Sequence, residues 1–478
     1  MERVLTNKSI RLLSSALLAG GTSVAQYGAS VASGQRPNII FIVSDDHSVP
    51  FLGCYGDPNV KTPNIDRLAK EGILFRNVYT TAPQSAPSRA SLMTGRSVVD
   101  IRMTRFSAPL SKNIVGYPEL LRQSGYYTGI CGRSYHLDGS RVPPETDTVF
   151  KEYGLRTFEK RVDFLRQGQS KDALGQFLEF LDQAPAGKPF FIQVGYNEPH
   201  RIFDAKKFEP EYSSLKLPAS WPDIPELRKD FAGYYGEIQR LDMYVGQLLD
   251  EIDKRGLTEN TLVVFIGDNG GALLRGKGTL NELGLHVPLL ARWPGKIMPG
   301  SVSNALISGE DIAPSFLEIS GSDIPPEITG RSFVPAFADS AFSAHTYIFA
   351  ERGAHGSGLP DNTSSFDLGR TVFSKEYKLI YNALWQLPYH PVDFANQPFW
   401  KKLKEQNESG MLDAKHRQLF FSEYRPMFEF YDRINDPDEL NNLAGNPAYA
   451  EQEHLLKAEL QKWMILNQDF LPLPIPPR

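Results

Sequence analysis

The chain has 478 residues, 41% of them hydrophobic, with 51 Lys and Arg against 56 Asp and Glu and a formal charge of −5. That is enough chain to bury a large core and to form two domains rather than one, and the mildly acidic balance excludes a nucleic-acid partner while leaving room for a small basic pocket. Two cysteines, Cys54 and Cys131, are too few for a disulfide framework and read as core thiols.

At the N-terminus, Arg3, Lys8 and Arg11 accompany an apolar run over residues 12–19 and then small residues to Ala32. Basic, apolar and small segments in that order have the outline of a signal peptide, too short to span a bilayer. Residues 1–33 are therefore expected to direct export to the periplasm or the medium, and no stable membrane insertion is expected. Unbroken apolar runs at residues 38–44, 190–194 and 262–266 alternate with helical patterns, which predicts a mostly parallel sheet covered by helices on both faces. Helices are predicted at residues 64–71, 117–123, 171–182, 230–254 and 312–319. The strongest, 230–254, carries Phe231, Tyr234, Ile238, Leu241, Val245, Leu248 and Ile252 at three- and four-residue steps, with Gly256 beyond its end. This alternation defines an α/β domain over residues 34–340. Beyond it, an apolar segment at 347–350, a hairpin-like pair at 370–373 and 377–381, and a helix at 449–466 predict a smaller α+β subdomain, residues 341–478, with a short antiparallel sheet. Residues 384–417 lack periodicity and are long for a plain connection, so they form either an inserted helical lobe or a loop over the active site.

Ligands of open α/β sheets bind beyond the carboxyl ends of the strands, and polar groups cluster there. Asp45 and Asp46 close the first apolar run, Asp268 and Asn269 follow the third, and Asn197-Glu198-Pro199-His200 follows the second. Three carboxylates and an amide oxygen suit a hard divalent cation, Ca²⁺ or Mg²⁺, although each pair taken singly also reads as turn residues. A further segment, Ser85-Ala86-Pro87-Ser88-Arg89 with Thr94-Gly95-Arg96 after it, reads as a proline-started helix with a serine at its cap.

That segment resembles the modification signature of type I sulfatases, members of the alkaline phosphatase superfamily, in which C/S-x-P-x-R precedes T-G-R. The likeness runs from Pro37 over nearly the whole chain, through Thr62-Pro63-Asn64, Val287-Pro288-Leu289, Trp293-Pro294-Gly295, Asp311-Ile312-Ala313-Pro314 and Phe430-Tyr431-Asp432. It implies an alkaline-phosphatase-like fold and a sulfuric ester hydrolase acting on a sulfated carbohydrate, a polysaccharide or a glycosaminoglycan fragment. It also implies that a serine-type radical maturase oxidises Ser85 to formylglycine, whose hydrate attacks sulfur with one hydroxyl and expels sulfate with the other. By the same resemblance Asp45, Asp46, Asp268 and Asn269, with the modified Ser85, hold Ca²⁺, with Mg²⁺ as the alternative. Arg89 holds the diol, His136 assists release of sulfate, His200 protonates the leaving alcohol and Lys277 pairs with a sulfate oxygen. The chain departs from the family's G-K-x-H in reading Gly132-Arg133-Ser134-Tyr135-His136, where the planar fork of Arg133 is not equivalent to an ammonium. Glu351, Arg352 and His355 are expected substrate contacts, their other reading being a solvated loop. Alternatives on the same scaffold are an N-sulfoglucosamine-type sulfamidase and a phosphomonoester or phosphonate hydrolase. Two-metal forms of the latter need histidines near the Asp268-Asn269 pair, where the nearest is His286. A non-catalytic glycan-binding protein with a decayed site is the remaining possibility.

Overall fold

A computed structural model describes residues 36–103, 109–137, 142–355 and 366–474. The predicted signal segment, residues 1–33, lies outside the described residues. The larger sheet has eight strands: β1 (Asn38–Ser44), β2 (Ile73–Tyr79), β3 (Tyr127–Gly132), β4 (Phe164–Leu165), β5 (Phe190–Gly195), β6 (Thr261–Gly267), β7 (Leu289–Arg292) and β8 (Ser301–Ser308). Laterally they run β4, β3, β5, β1, β6, β7, β2, β8. Neighbours are parallel except at β7, which is antiparallel to both β6 and β2.

The three apolar runs become the central strands because every side chain on them after Asn38 is buried, whichever face it takes. From β1, Ile40 and Ile42 enter one core with Ile192, Val263 and Phe265, whereas Ile39, Phe41 and Val43 enter the other with Phe191, Val264 and Ile266. Among the described residues eight helices accompany this sheet: α1 (Pro63–Glu71), α2 (Ser85–Thr94), α3 (Tyr117–Gln123), α4 (Pro144–Glu152), α5 (Ser170–Gln183), α6 (Pro225–Lys254), α7 (Glu282–Leu285) and α8 (Ile312–Ser320). The first core is closed by residues of α1, α5 and α6, the second by residues of α2, α3 and α8. The predicted 230–254 helix begins earlier, at Pro225, where a proline at the first helical turn costs no hydrogen bond and Leu227 adds a buried anchor.

A second sheet of four antiparallel strands follows, with β9 (Ile348–Arg352), β10 (Gly369–Phe373), β11 (Tyr377–Asn382) and β12 (Phe428–Asp432) ordered β12, β11, β10, β9. Between β11 and β12, α9 (Pro398–Glu408) and α10 (Ala414–Phe421) form a helical lobe whose Phe399, Trp400, Leu403 and Phe420 join the core that contains Phe231 and Trp221. The last helix, α11 (Ala450–Leu466), packs Leu456, Leu460 and Met464 on Val372, Leu379 and Phe430. Among the described residues no helix is long and apolar enough to cross a membrane.

Candidate active site

The register of the central strands assembles the site. Ser44 of β1 stands opposite Gly267 of β6, so the residues that follow, Asp45-Asp46 and Asp268-Asn269, leave the sheet side by side. Asp46 turns back with φ of 65°, and its amide donates to Asp268 Oδ1 at 2.9 Å. On the other flank Val43 pairs with Gly195 of β5, and Asp45 N donates to Glu198 O at 3.0 Å, which brings His200 to the same end. Ser85 opens α2 beneath these strand ends. Its Oγ lies 3.1 Å from Asp45 Oδ1 and 2.9 Å from Asn269 Oδ1, two acceptors that share its one hydrogen, so it sits inside the oxygen cluster and is fully buried.

Three buried carboxylates in one place need opposite charge. Arg89, one helical turn after Ser85, gives Nε to Asp268 Oδ2 at 2.8 Å and places Nη2 3.5 Å from Asp45 Oδ2. Arg133 contacts the same Asp45 oxygen through Nε. Burial alone pushes Asp45 up, yet Arg133 and Arg89 outweigh it and hold the carboxyl well below its usual range. Asp46 and Asp268 go the other way. Burial, with the Asp45 charge added, raises both, and neither Lys277 nor Arg89 fully offsets it. The ligand atoms of Asp45, Asp46 and His200 lie within 4.8 Å of one another. A compact set of carboxylate and amide oxygens, two of whose acids, Asp46 and Asp268, are pushed toward protonation, fits a hard divalent cation.

On the outer side Lys277 is 2% exposed and donates to Asp46 Oδ2 at 2.9 Å. Its second partner is Asp393, whose Oδ2 lies 2.7 Å from Nζ. Lys277 is held in place by a crowded glycine turn. Its amide donates to Gly271 O at 2.7 Å, and a Cβ on Gly276 would lie 2.2 Å from that same oxygen. Asp393 also faces His355 Nε2 at 3.5 Å and His200 Nε2 at 4.0 Å, and is driven well below the carboxylate range by Lys277 and His355 against the effect of burial. Gln84, next to Ser85, reaches His355 Nδ1 at 3.3 Å and donates to Ala354 O at 2.9 Å.

The two histidines differ. His136 is 2% exposed, with Nε2 3.8 Å from Asp45 Oδ2, and burial together with Arg89 keeps it well below its ordinary range, a neutral ring. His200 Nδ1 donates to the Arg201 carbonyl, which leaves Nε2 facing Asp46 Oδ2 at 3.8 Å. Burial, with Lys277 adding to it, lowers His200 to about 4.

The structure thus brings together Asp45, Asp46, Ser85, Arg89, Arg133, His136, His200, Asp268, Asn269 and Lys277, with His355 at the rim. Glu351 and Arg352 do not join them. Glu351 is buried against Arg370 Nη2 at 3.5 Å, and Arg352 faces a cavity behind Lys277. Asp393 and Gln84 escaped the sequence reading. The position of Gln84 beside Ser85 was a usable signal, whereas Asp393 lies in the aperiodic stretch and carried none. Glu198 serves the scaffold, accepting from Ser170 Oγ and lying 2.9 Å from Arg240 Nε. His286 is also occupied, with Nδ1 3.0 Å from Glu282 and Nε2 donating to Arg76 O at 2.7 Å, so it adds no ligand beside Asn269.

The chain also resembles known proteins in sequence and in fold. A family profile described as Sulfatase matches residues 37–322, and one described as N-sulphoglucosamine sulphohydrolase, C-terminal, matches residues 276–398. The chain is 31% identical over 469 residues to an ulvan-active sulfatase of Formosa agariphila, spanning 95% of this chain and 86% of that protein. It is 28% identical over 476 residues to the N-sulphoglucosamine sulphohydrolase of Homo sapiens, spanning 91% of each. A structure solved with its substrate D-glucosamine-2-N,6-O-disulfate superposes with a TM-score of 0.69 at 19% identity, covering 91% of this chain and 99% of that one. The phosphonate monoester hydrolase of Silicibacter pomeroyi superposes with a TM-score of 0.68 at 19% identity, covering 91% and 96%. At that identity these two likenesses speak for the shared alkaline-phosphatase-like fold.

Proposed function

The chain belongs to the sulfatase family and is a sulfuric ester hydrolase, and on that premise we propose that it releases sulfate from a sulfated carbohydrate after Ser85 has been oxidised to formylglycine. The observation that carries the reading is the position of Ser85 Oγ, bonded to both Asp45 and Asn269 at the centre of the oxygen cluster. Formylglycine at this position would supply a hydrate, with one hydroxyl for attack on sulfur and one for expulsion of sulfate. Asp45, Asp46, Asp268 and Asn269 would hold a divalent cation, Ca²⁺ in our reading, which would lower the cost of negative charge at position 85.

The chain's own residues do the rest. Arg89 and Arg133 keep Asp45 ionised, and Arg89 fixes Asp268, so the oxygens stay aimed at position 85. Lys277, kept charged by Asp393 and Asp46, meets a sulfate oxygen as charge grows on it. His136 is neutral and buried, and takes a proton as sulfate departs. His200 is neutral in the free protein. An anionic sulfate beside it favours the imidazolium, so it takes up a proton at Nε2 on substrate binding and delivers it to the leaving oxygen.

Two further elements belong to this reading. Oxidation of a serine, as opposed to a cysteine, requires a serine-type radical maturase as partner. The basic, apolar and small order of residues 1–33 supports export to the periplasm or the medium. Cleavage of an N-sulfate is favoured as a second reading by the match of residues 276–398 to the sulphoglucosamine profile, since scission of an N–S bond employs the same groups.

The test is peptide mass spectrometry across Ser85 in protein co-produced with a serine-type maturase, paired with sulfate release from O- and N-sulfated glycans. Loss of two hydrogens at Ser85 and sulfate release abolished in Ser85→Ala are expected. An unmodified Ser85 beside a working maturase, with no sulfate released, would overturn the proposal.

A further inference from the structure

Immediately past Lys277 the chain enters a cavity of about 380 Å³, lined by Gly278 and by residues of β9, β10, β11 and α10. Its charged lining is Arg275, Arg352, Lys415 and Arg425 against Asp367 and Glu429, an excess of cations in a chain whose formal charge is −5. Most of these groups are committed. Arg425 grips Asp367 with two bonds of 2.7 and 2.8 Å, Arg275 donates to Asp438 O at 3.0 Å, Lys415 donates to Ala219 O at 2.7 Å, and Glu429 accepts from Asn382 at 2.6 Å.

Arg352 is the exception. It is 4% exposed, yet its Nε and Nη1 have no hydrogen-bond partner among the described residues. The carboxylate of Asp367 stands 3.9 Å from Nε and is already claimed by Arg425. A buried donor left unmatched costs about 1–3 kcal/mol, and more when charged, so a guanidinium kept this way on a cavity wall is poised for a ligand. It also lies against the catalytic turn, since a Cβ on Gly278 would be 3.6 Å from Arg352 Cζ.

We infer that this cavity receives a second anionic group, a sulfate or a carboxylate, on the same carbohydrate whose scissile sulfate meets Lys277, and that Arg352 is the fork that receives it. The inference rests on the sulfated-carbohydrate reading and narrows it to sugars or oligosaccharides carrying at least two anionic groups. An occupant at Arg352 supplies the missing acceptors, and because the cavity lining does not include Asp45, Asp46, Ser85, Asp268 or Asn269, Arg352 is a residue of specificity.

Three disaccharides that share one sulfate decide it: one with that sulfate alone, one with a second sulfate, and one with the neighbouring hexose oxidised to a uronate. For the matured enzyme, kcat/KM is expected to favour at least one dianionic sugar over the monosulfated one by about tenfold, mainly through KM, the size of one charge-assisted hydrogen-bonded pair. Whichever second group is preferred identifies the ligand as sulfate or carboxylate. In Arg352→Gln the preference collapses toward unity, and Arg352→Lys, which keeps charge without the fork, retains an intermediate preference. Absence of a preference in the wild type, or its persistence in Arg352→Gln, overturns the inference. Should the matured enzyme release no sulfate from any of the three, the parent reading fails, and calorimetric binding to the serine form decides the subsite separately. Tighter binding of a dianionic sugar that is lost in Arg352→Gln upholds it, and equal binding of all three refutes it.

Discussion

The carboxylate of Asp393 lies 2.7 Å from the ammonium of Lys277, linking the helical lobe to the catalytic sheet. Asp393 stands just before α9, with φ of 65°, and Lys277 stands in the glycine turn after β6. Lys277 therefore sits between two carboxylates, Asp46 on the oxygen-cluster side and Asp393 on the outer side, and both keep it charged despite full burial. A cation shared in this way is positioned and still able to offer hydrogens to an incoming anion.

Replacing Asp393 with Asn should leave Lys277 resting on Asp46 alone and draw the ammonium toward the oxygen cluster. The expected result is a loss of kcat/KM of about tenfold to a hundredfold, at about 1.4 kcal/mol per factor of ten. If Asp393 acts through Lys277, the Asp393→Asn, Lys277→Ala double variant will be no worse than Lys277→Ala alone. Additive losses would show that Asp393 contacts substrate independently.

The glycine turn makes a sharper test of position. A methyl group at residue 276 would fall 2.2 Å from Gly271 O, the acceptor that anchors the Lys277 amide. Gly276→Ala must shift that backbone, and a displacement of about 1 Å at a catalytic group costs on the order of a hundredfold in rate. Activity should fall by that order while the far-ultraviolet circular dichroism spectrum stays unchanged. Wild-type turnover in this variant would show that the turn adapts and that the place of Lys277 is not critical.

Much of this centre was readable because it is built from strand ends. Asp45, Asp46, Asp268 and Asn269 directly follow runs whose apolar character marked them as parallel and central, and the β1–β6 register makes the pairs adjacent. The family resemblance then joined Ser85, Arg89, His136, His200 and Lys277 to them. Asp393 was not readable: it comes from a loop with no periodicity, and its left-handed backbone is one that glycine would have signalled and aspartate does not. The reversed direction of β7 was equally silent, because four buried apolar residues look the same either way along the chain. Glu351 and Arg352 show what alternation decides. Neighbours on β9 point to opposite faces, so one packs on Arg370 while the other lines the cavity, and reading the pair as one contact patch overlooked the period of two.

Removal of the cation is expected to abolish turnover and to lower the melting temperature, because three carboxylates at two adjacent strand ends then rely on arginine and lysine alone. Binding at a hundred times its dissociation constant contributes about 2.7 kcal/mol to stability. Calorimetry of chelator-treated protein, titrated with Ca²⁺ and then with Mg²⁺, should restore the melting temperature with the ion that also restores sulfate release. A melting temperature and activity both indifferent to chelation would exclude a cation at Asp45, Asp46, Asp268 and Asn269.

Glu351 supplies a pH test that separates a structural group from a catalytic one. Burial raises its carboxyl from 4.5 to about 7; Arg370 pulls it down and Asp469 pushes it up, and neither reverses the shift. A raised acid binds more protons in the folded state than in the unfolded state between those values. Its contribution to stability is therefore full below about pH 4.5 and is lost as pH rises through about 7. Glu351→Gln removes the charge that has to be buried above that range. The variant should match the wild type in acid and exceed it above neutrality by about 1–3 kcal/mol in urea unfolding, with sulfate release maintained. Arg370 keeps its two contacts to Asp469, so the substitution strands no cation. A fall in turnover without the gain in alkaline stability would instead assign Glu351 to the substrate.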